Sequence, residues 1–138
     1  KKVYLYEKST GFYSNISFTA ADYKFDLTKV NKIRMKVYIP SYNDYTTVAN
    51  VAGDWIAVNK LQKQVAVKLQ NSETGGSAWE TQVEVVKKDL VADKWIELEF
   101  DFSSAKDRQD FDKIVIQFGA EGHAAPGIFF FDDFSFDE

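Results

Sequence analysis

Two kinds of residue in this chain could do chemistry: carboxylates in close pairs and aromatic rings set in polar turns. The carboxylate pairs are Glu97 with Glu99, Glu80 with Glu84, and the adjacent Asp132 and Asp133. Catalysis needs such a pair, a nucleophile or a metal-bound water held in fixed geometry. Glu97 and Glu99 instead alternate on one face of a strand, in a chain of 21 acidic residues, which is the ordinary pattern of a solvated sheet face. No lyase-like grouping of His, Tyr, Arg and Asn shows in the spacing. A catalytic reading therefore has little to stand on.

The aromatic residues carry more. A pyranose ring presents apolar C–H faces that stack on Trp and Tyr, while Gln, Asn and Arg side chains hydrogen-bond its hydroxyls. Tyr42 and Tyr45 share a turn with Asn43 and Asp44; Trp55 follows Gly53 and Asp54; Trp79 follows Gly75, Gly76 and Ser77. Each also has a plainer reading. Trp79 could open a strand as a core side chain, Trp55 has the apolar flanks Ile56 and Val58, and Trp95 enters a strand and is read as structural. A second set, Arg34, Lys36, Tyr38, Lys68, Gln70 and Gln117, alternates with core-type residues. If their strands are neighbours in one concave sheet, these residues form a polar floor with aromatic walls; otherwise they are a solvated outer face.

His123, the single histidine, lies in the loop Gly119 to Gly127 and would either meet a ligand hydroxyl or fix the loop. Asp132 and Asp133 interrupt Phe129-Phe130-Phe131 and Phe134, a run that otherwise reads as buried strand. A buried carboxylate needs a partner. Calcium, which takes carboxylate and backbone oxygens, is one candidate; an arginine or a backbone turn is another. Asn15-Ile16-Ser17 fits the glycosylation triplet, a pattern that recurs by chance.

The elements that must position these residues read as strands. Ile33, Met35, Val37 and Ile39 alternate with Arg34, Lys36 and Tyr38, and Pro40 ends the run. Val65, Val67 and Leu69 repeat the pattern against Ala66, Lys68 and Gln70, as do Ile96, Leu98 and Phe100 against Glu97 and Glu99, each with one wet face expected. Further strands are expected at 3–7, 13–19, 80–86, 113–118 and 128–136, making about eight. Turn-rich stretches fall at 41–45, 71–77 and 119–127. Residues 46–63 fit neither period and suit a short helix or an irregular excursion; a helical turn is plausible near 103–110. Many short strands without β-α alternation indicate an antiparallel two-sheet β-sandwich or jelly roll.

Composition bounds the partners. The 138 residues make one domain's worth of chain, 45% hydrophobic and 16% aromatic, enough for a sizeable core. A formal charge of −4, with no basic cluster longer than a doublet, argues against nucleic acid. No apolar stretch is long enough to span a bilayer as a helix. The absence of cysteine removes disulfides, thiolate zinc sites and a cysteine nucleophile. Lys1-Lys2-Val3-Tyr4 lacks a signal peptide's apolar run, so any export would be encoded upstream.

Several of these segments together resemble a known family. They are Phe25-Asp26-Leu27-Thr28-Lys29-Val30, the strand ending Val37-Tyr38-Ile39-Pro40, Val67-Lys68-Leu69-Gln70, Lys94-Trp95 running on to Phe100-Asp101-Phe102-Ser103, and Phe129 to Phe134 with its two aspartates. In that order they look like the jelly-roll, galactose-binding-like carbohydrate-binding modules of Bacteroidetes polysaccharide-degrading enzymes and surface glycan-binding proteins. The resemblance implies a non-catalytic sandwich that holds a glycan chain, with β-glucans such as laminarin prominent among its substrates. It also implies a structural Ca²⁺ with Asp133, or its neighbour Asp132, as a ligand. The family usually begins with one more strand bearing a glutamate for that ion, so this chain departs from the pattern at its start and reads as a domain excised from a multimodular protein.

The reading that follows is a secreted or cell-surface module spanning residues 1–138. It is expected to be a monomer and to target an attached enzyme or surface protein to a neutral β-glucan. Stacking is assigned to Trp79, Tyr42, Tyr45 and Trp55, and selectivity to Arg34, Lys68, Gln70, Gln117 and His123. Linkage to neighbouring domains raises effective concentration, so weak sites suffice. The rivals are a small glycosidase or lyase, and a protein-adhesion module with no glycan ligand.

Overall fold

The computed structural model describes residues 3–48 and 59–137. Eight strands appear in chain order: β1 Tyr4–Lys8, β2 Ile16–Thr19, β3 Lys32–Tyr38, β4 Val65–Gln70, β5 Val83–Lys87, β6 Trp95–Asp101, β7 Lys113–Phe118 and β8 Gly127–Asp137. They form two antiparallel sheets of four, sheet A in the order β1-β8-β3-β6 and sheet B in the order β2-β7-β4-β5. This is an all-β sandwich compatible with a jelly roll.

Alternation decides which side of each strand is inside. Ile33, Met35 and Val37 of β3 face Val65, Val67 and Leu69 of β4 across the core, with Phe100, Phe118 and Phe129 filling the space between the sheets. Phe118 and Phe129 stack with centroids 4.8 Å apart. Burying one such ring is worth about 1.5–3 kcal/mol, so this aromatic layer is a large share of the driving force.

The paired aspartates have a geometric role in β8. Phe129 and Phe131 occupy odd positions, whereas Phe136, even-numbered, also packs on the core. A strand of strict period two cannot do both. The ladder with β3 accordingly slips between Arg34 and Lys36, and Asp133 takes a left-handed φ of 52°. That extra residue is a β-bulge, which restores the inward parity for Phe136. The expectation that these carboxylates sit in buried strand is corrected: the Asp133 side chain is 44% exposed and its carboxylate lies 3.2 Å from the Lys36 ammonium.

Other expectations shift in detail. β4 has no wet face: all six of its residues are buried, because it is a central strand and its polar side chains find partners at short range. The strand expected at 80–86 begins only at Val83, since Ser72–Thr81 form 3₁₀ turns broken at Gly75 (φ 62°) and capped by Asn71, whose side-chain oxygen accepts from the Glu73 N–H. The turn near 103–110 is a 3₁₀ segment of three residues, Ser103–Ala105. In the ambiguous 46–63 stretch, Leu61 forms an isolated parallel bridge with Tyr45, just ahead of it, and Trp55 lies outside the described residues.

Candidate functional site

The sandwich has two ends, and one gathers the loops 9–15, 39–48, 59–64, 88–94 and 119–127. Leu61 is its keystone. It is fully buried, and a Cβ on Gly119 or Gly127 would come within 2.9 or 2.8 Å of its methyl groups, so glycine at both positions lets two loops close around it. Gly119 also has φ +84°, a conformation that glycine adopts at no steric cost. The backbone around Leu61 is stitched on several sides. Leu61 N–H donates to the Asp44 carbonyl, Gln62 N–H to Gly119, and Leu90 N–H to Lys63.

With those backbone groups satisfied, the side chains of this stub are left to line a cleft of about 770 Å³. Its walls include Tyr45, Gln62, Lys63, Gln64, Lys88 and Asp89. Tyr45 is fixed on several sides: it packs against the core, its hydroxyl accepts from the Asn43 amide at 3.0 Å, and the Lys63 ammonium sits over its ring, 5.5 Å from the centroid. Burial pushes the Tyr45 phenol up to about 12, although the Asn43 hydrogen bond pulls the other way. Chemically, the residues lining the cleft supply a phenol ring with the Lys63 ammonium over it, two amides that both donate and accept, and charged groups of both signs. That set suits a hydroxylated, largely uncharged ligand.

Two buried polar groups hold the loops behind the cleft. The Lys8 ammonium, on a residue 2% exposed, lies within 2.9–3.3 Å of the carbonyl oxygens of Ser9, Gly11, His123 and Ala125. Burial lowers its pKa from the usual lysine value. His123 is wholly buried, with Nδ1 donating to the Lys60 carbonyl at 2.6 Å. The assignment of His123 to ligand contact is therefore corrected: it fixes the loop, the other role its sequence position allowed.

The structure brings few of the other expected residues together. Arg34, Lys36 and Tyr38 belong to sheet A, whereas Lys68, Gln70 and Gln117 belong to sheet B, and both groups face away from the shared core. The shared polar floor, one of the two arrangements the alternation allows, is not formed, because β3 lies in one sheet and β4 and β7 in the other. Lys68 is sealed between Glu84, at 3.3 Å, and Glu121; Gln70 donates to Gln82 at 2.9 Å; Gln117 is buried. Arg34 is engaged by Glu99 at 2.8 Å and by Asp137. Tyr42 and Trp79 are open to solvent, 68% and 62% exposed. They sit apart, however: Tyr42 is at the cleft end, while Trp79 follows β4 at the opposite end, separated by a strand of six residues, about 20 Å.

The residues missed from sequence are Gln62, Lys63, Gln64, Lys88 and Asp89, together with Trp95. The strand-entry position of Trp95 points to a structural role, yet the residue is 44% exposed beside Tyr38, with ring centroids 5.7 Å apart. It borders a trough of about 410 Å³ across the outer face of sheet A, shared with Val3, Lys36, Glu97 and Asp132. The Tyr38 ring is tilted 58° to Trp95 and 77° to Phe130, so this aromatic row is not a flat platform.

At the paired aspartates, Asp133 faces the Lys36 ammonium, and among the described residues no group of three or more His, Cys, Asp or Glu residues that could hold a metal occurs. No protein-family model matches the chain, and no curated protein matches it in sequence.

Proposed function

We propose that this chain is a non-catalytic module that binds a polysaccharide, with a neutral β-glucan such as laminarin as the first ligand to test. The observation that carries the reading is the end cleft, whose lining brings Tyr45 together with Gln62 and Gln64. Its volume lies in the range of small-ligand sites, and its mixture of ring face, donors and acceptors is what a saccharide uses. Tyr42, exposed at the same end, offers a second ring. The net charge of −4 favours a neutral chain, while in the cleft itself Lys63 and Lys88 outnumber Asp89.

Affinity electrophoresis in laminarin, beside a glycan array that includes alginate, tests this. The double variant Gln62→Ala, Gln64→Ala is expected to lose about tenfold in affinity with an unchanged melting temperature, as follows from deleting two ligand hydrogen bonds. Trp79→Ala, at the far end, should leave retardation nearly intact. Loss with Trp79→Ala but not with the double variant would move the site, and an array without hits would end the glycan reading. Sugar release from the polysaccharide would replace it with an enzymatic one.

A further inference from the structure

We infer that the free edge of β6 is a docking strand for a basic, extended peptide. Sheet A ends at β6: β3 occupies one of its edges, and among the described residues no strand or loop hydrogen-bonds to the other. The strand turns Leu98 and Phe100 into the core and presents Trp95, Glu97, Glu99 and Asp101 outward, all four exposed.

Its existing neighbour displays what this face accepts. In register, β3 places Tyr38 opposite Trp95, Lys36 opposite Glu97, Arg34 opposite Glu99 and Lys32 opposite Asp101. An aromatic followed by three cations thus answers an indole followed by three carboxylates, the pairing that stabilises adjacent strands. β3 does not exhaust the negative charge. Lys36 is drawn to Asp133 on its other side, Arg34 is shared with Asp137, and Glu97 has no ion pair among the described residues.

A second strand laid along the open edge would repeat the arrangement of β3. Its main chain would take the unpaired N–H and C=O groups, and cations at alternate positions would meet Glu97 and Glu99. A third outward side chain, cationic or aromatic, would lie against the Trp95 ring. Lys87 of β5 already acts on Asp101, which limits the footprint to Trp95 through Glu99. A second copy of this chain is the wrong occupant, because two β6 edges would set carboxylate against carboxylate. The same carboxylates repel nucleic acids and acidic peptides. The inference is independent of the glycan cleft.

The probe is the peptide Lys-Thr-Arg-Thr-Lys-Thr-Tyr, which copies the outward residues of β3 and puts threonine at the inward positions. Titrated into isotope-labelled protein, it is expected to shift amide resonances of β6 and the residues flanking it. Affinity should fall several-fold as salt rises from about 20 to about 200 mM. Glu97→Lys, at a solvent-exposed position, should weaken binding by about fivefold in protein whose fold is confirmed by its amide spectrum, and Gln64→Ala should leave it unchanged. Absence of shifts at millimolar peptide, shifts located elsewhere, equal binding of a peptide with glutamate at the three basic positions, or wild-type affinity in Glu97→Lys would each overturn the inference.

Discussion

The side-chain amide of Asn43 closes on both backbone groups of Ile128: its Oδ1 accepts from the Ile128 N–H at 3.0 Å, and its Nδ2 donates to the Ile128 carbonyl at 2.9 Å and to the Tyr45 hydroxyl at 3.0 Å. One residue thereby ties the 41–45 turn to the first residues of β8 and sets the Tyr45 ring. Asn43→Ala removes three hydrogen bonds and leaves polar groups at half-buried positions without partners, which should cost about 2–4 kcal/mol of stability. Asn43→Asp keeps the acceptor and loses both donors, so it should fall between. Chemical denaturation of the three proteins checks the order, and both variants should lose glycan retention more steeply than Gln64→Ala.

Lys8 behaves as an internal cation. Its ammonium has three protons and faces four carbonyl oxygens contributed by two loops. Lys8→Met keeps the volume of the stem and removes the charge, leaving the carbonyls of His123 and Ala125 buried without this donor. Each buried carbonyl left without a donor costs about 1–3 kcal/mol. The expected result is a large fall in melting temperature, with early loss of hydrogen-exchange protection in residues 9–15 and 119–127. Wild-type protection in both loops would show that other contacts hold them.

β3 was legible because its inward residues are apolar at strict period two: Ile33, Met35 and Val37 predict it without help from the fold. The bulge was half legible. The change of parity between Phe131 and Phe136 demands an extra residue, and the two carboxylates mark where it falls, but their partner Lys36 comes from another strand. What sequence could not supply is which strands share a sheet. Arg34 and Lys68 both alternate with core residues, yet they face opposite sides of the sandwich. The cleft was hidden for a similar reason. Gln62 and Gln64 belong to a stub whose pairing with Gly119 and Tyr45 is long-range and irregular, so no local period announces it. His123 and Lys8 gave no sequence signal of burial, since their partners are carbonyls, which every residue has.

Tyr45 links stability to alkaline pH. Its phenol is pushed up to about 12 from the ordinary value of 10.0, chiefly by burial, so the folded protein holds this proton more tightly than the unfolded chain does. The sign follows: the contribution is complete below pH 10.0, and it is lost progressively as pH rises from there through about 12. Tyr45→Phe removes the titrating group and the Asn43 hydrogen bond together. At pH 7 it should therefore be less stable than the parent by about 1 kcal/mol, and the gap should narrow across the alkaline window as the parent alone loses stability. Absorbance titration of the phenolates should show one late-ionising tyrosine missing in the variant. If Tyr45 lines an occupied glycan site, saturating ligand should delay its ionisation further, because a sugar stacked on the ring removes more water from the phenol. A Tyr45 titration unmoved by a ligand that Gln64→Ala weakens would place the sugar on the amides and off the ring.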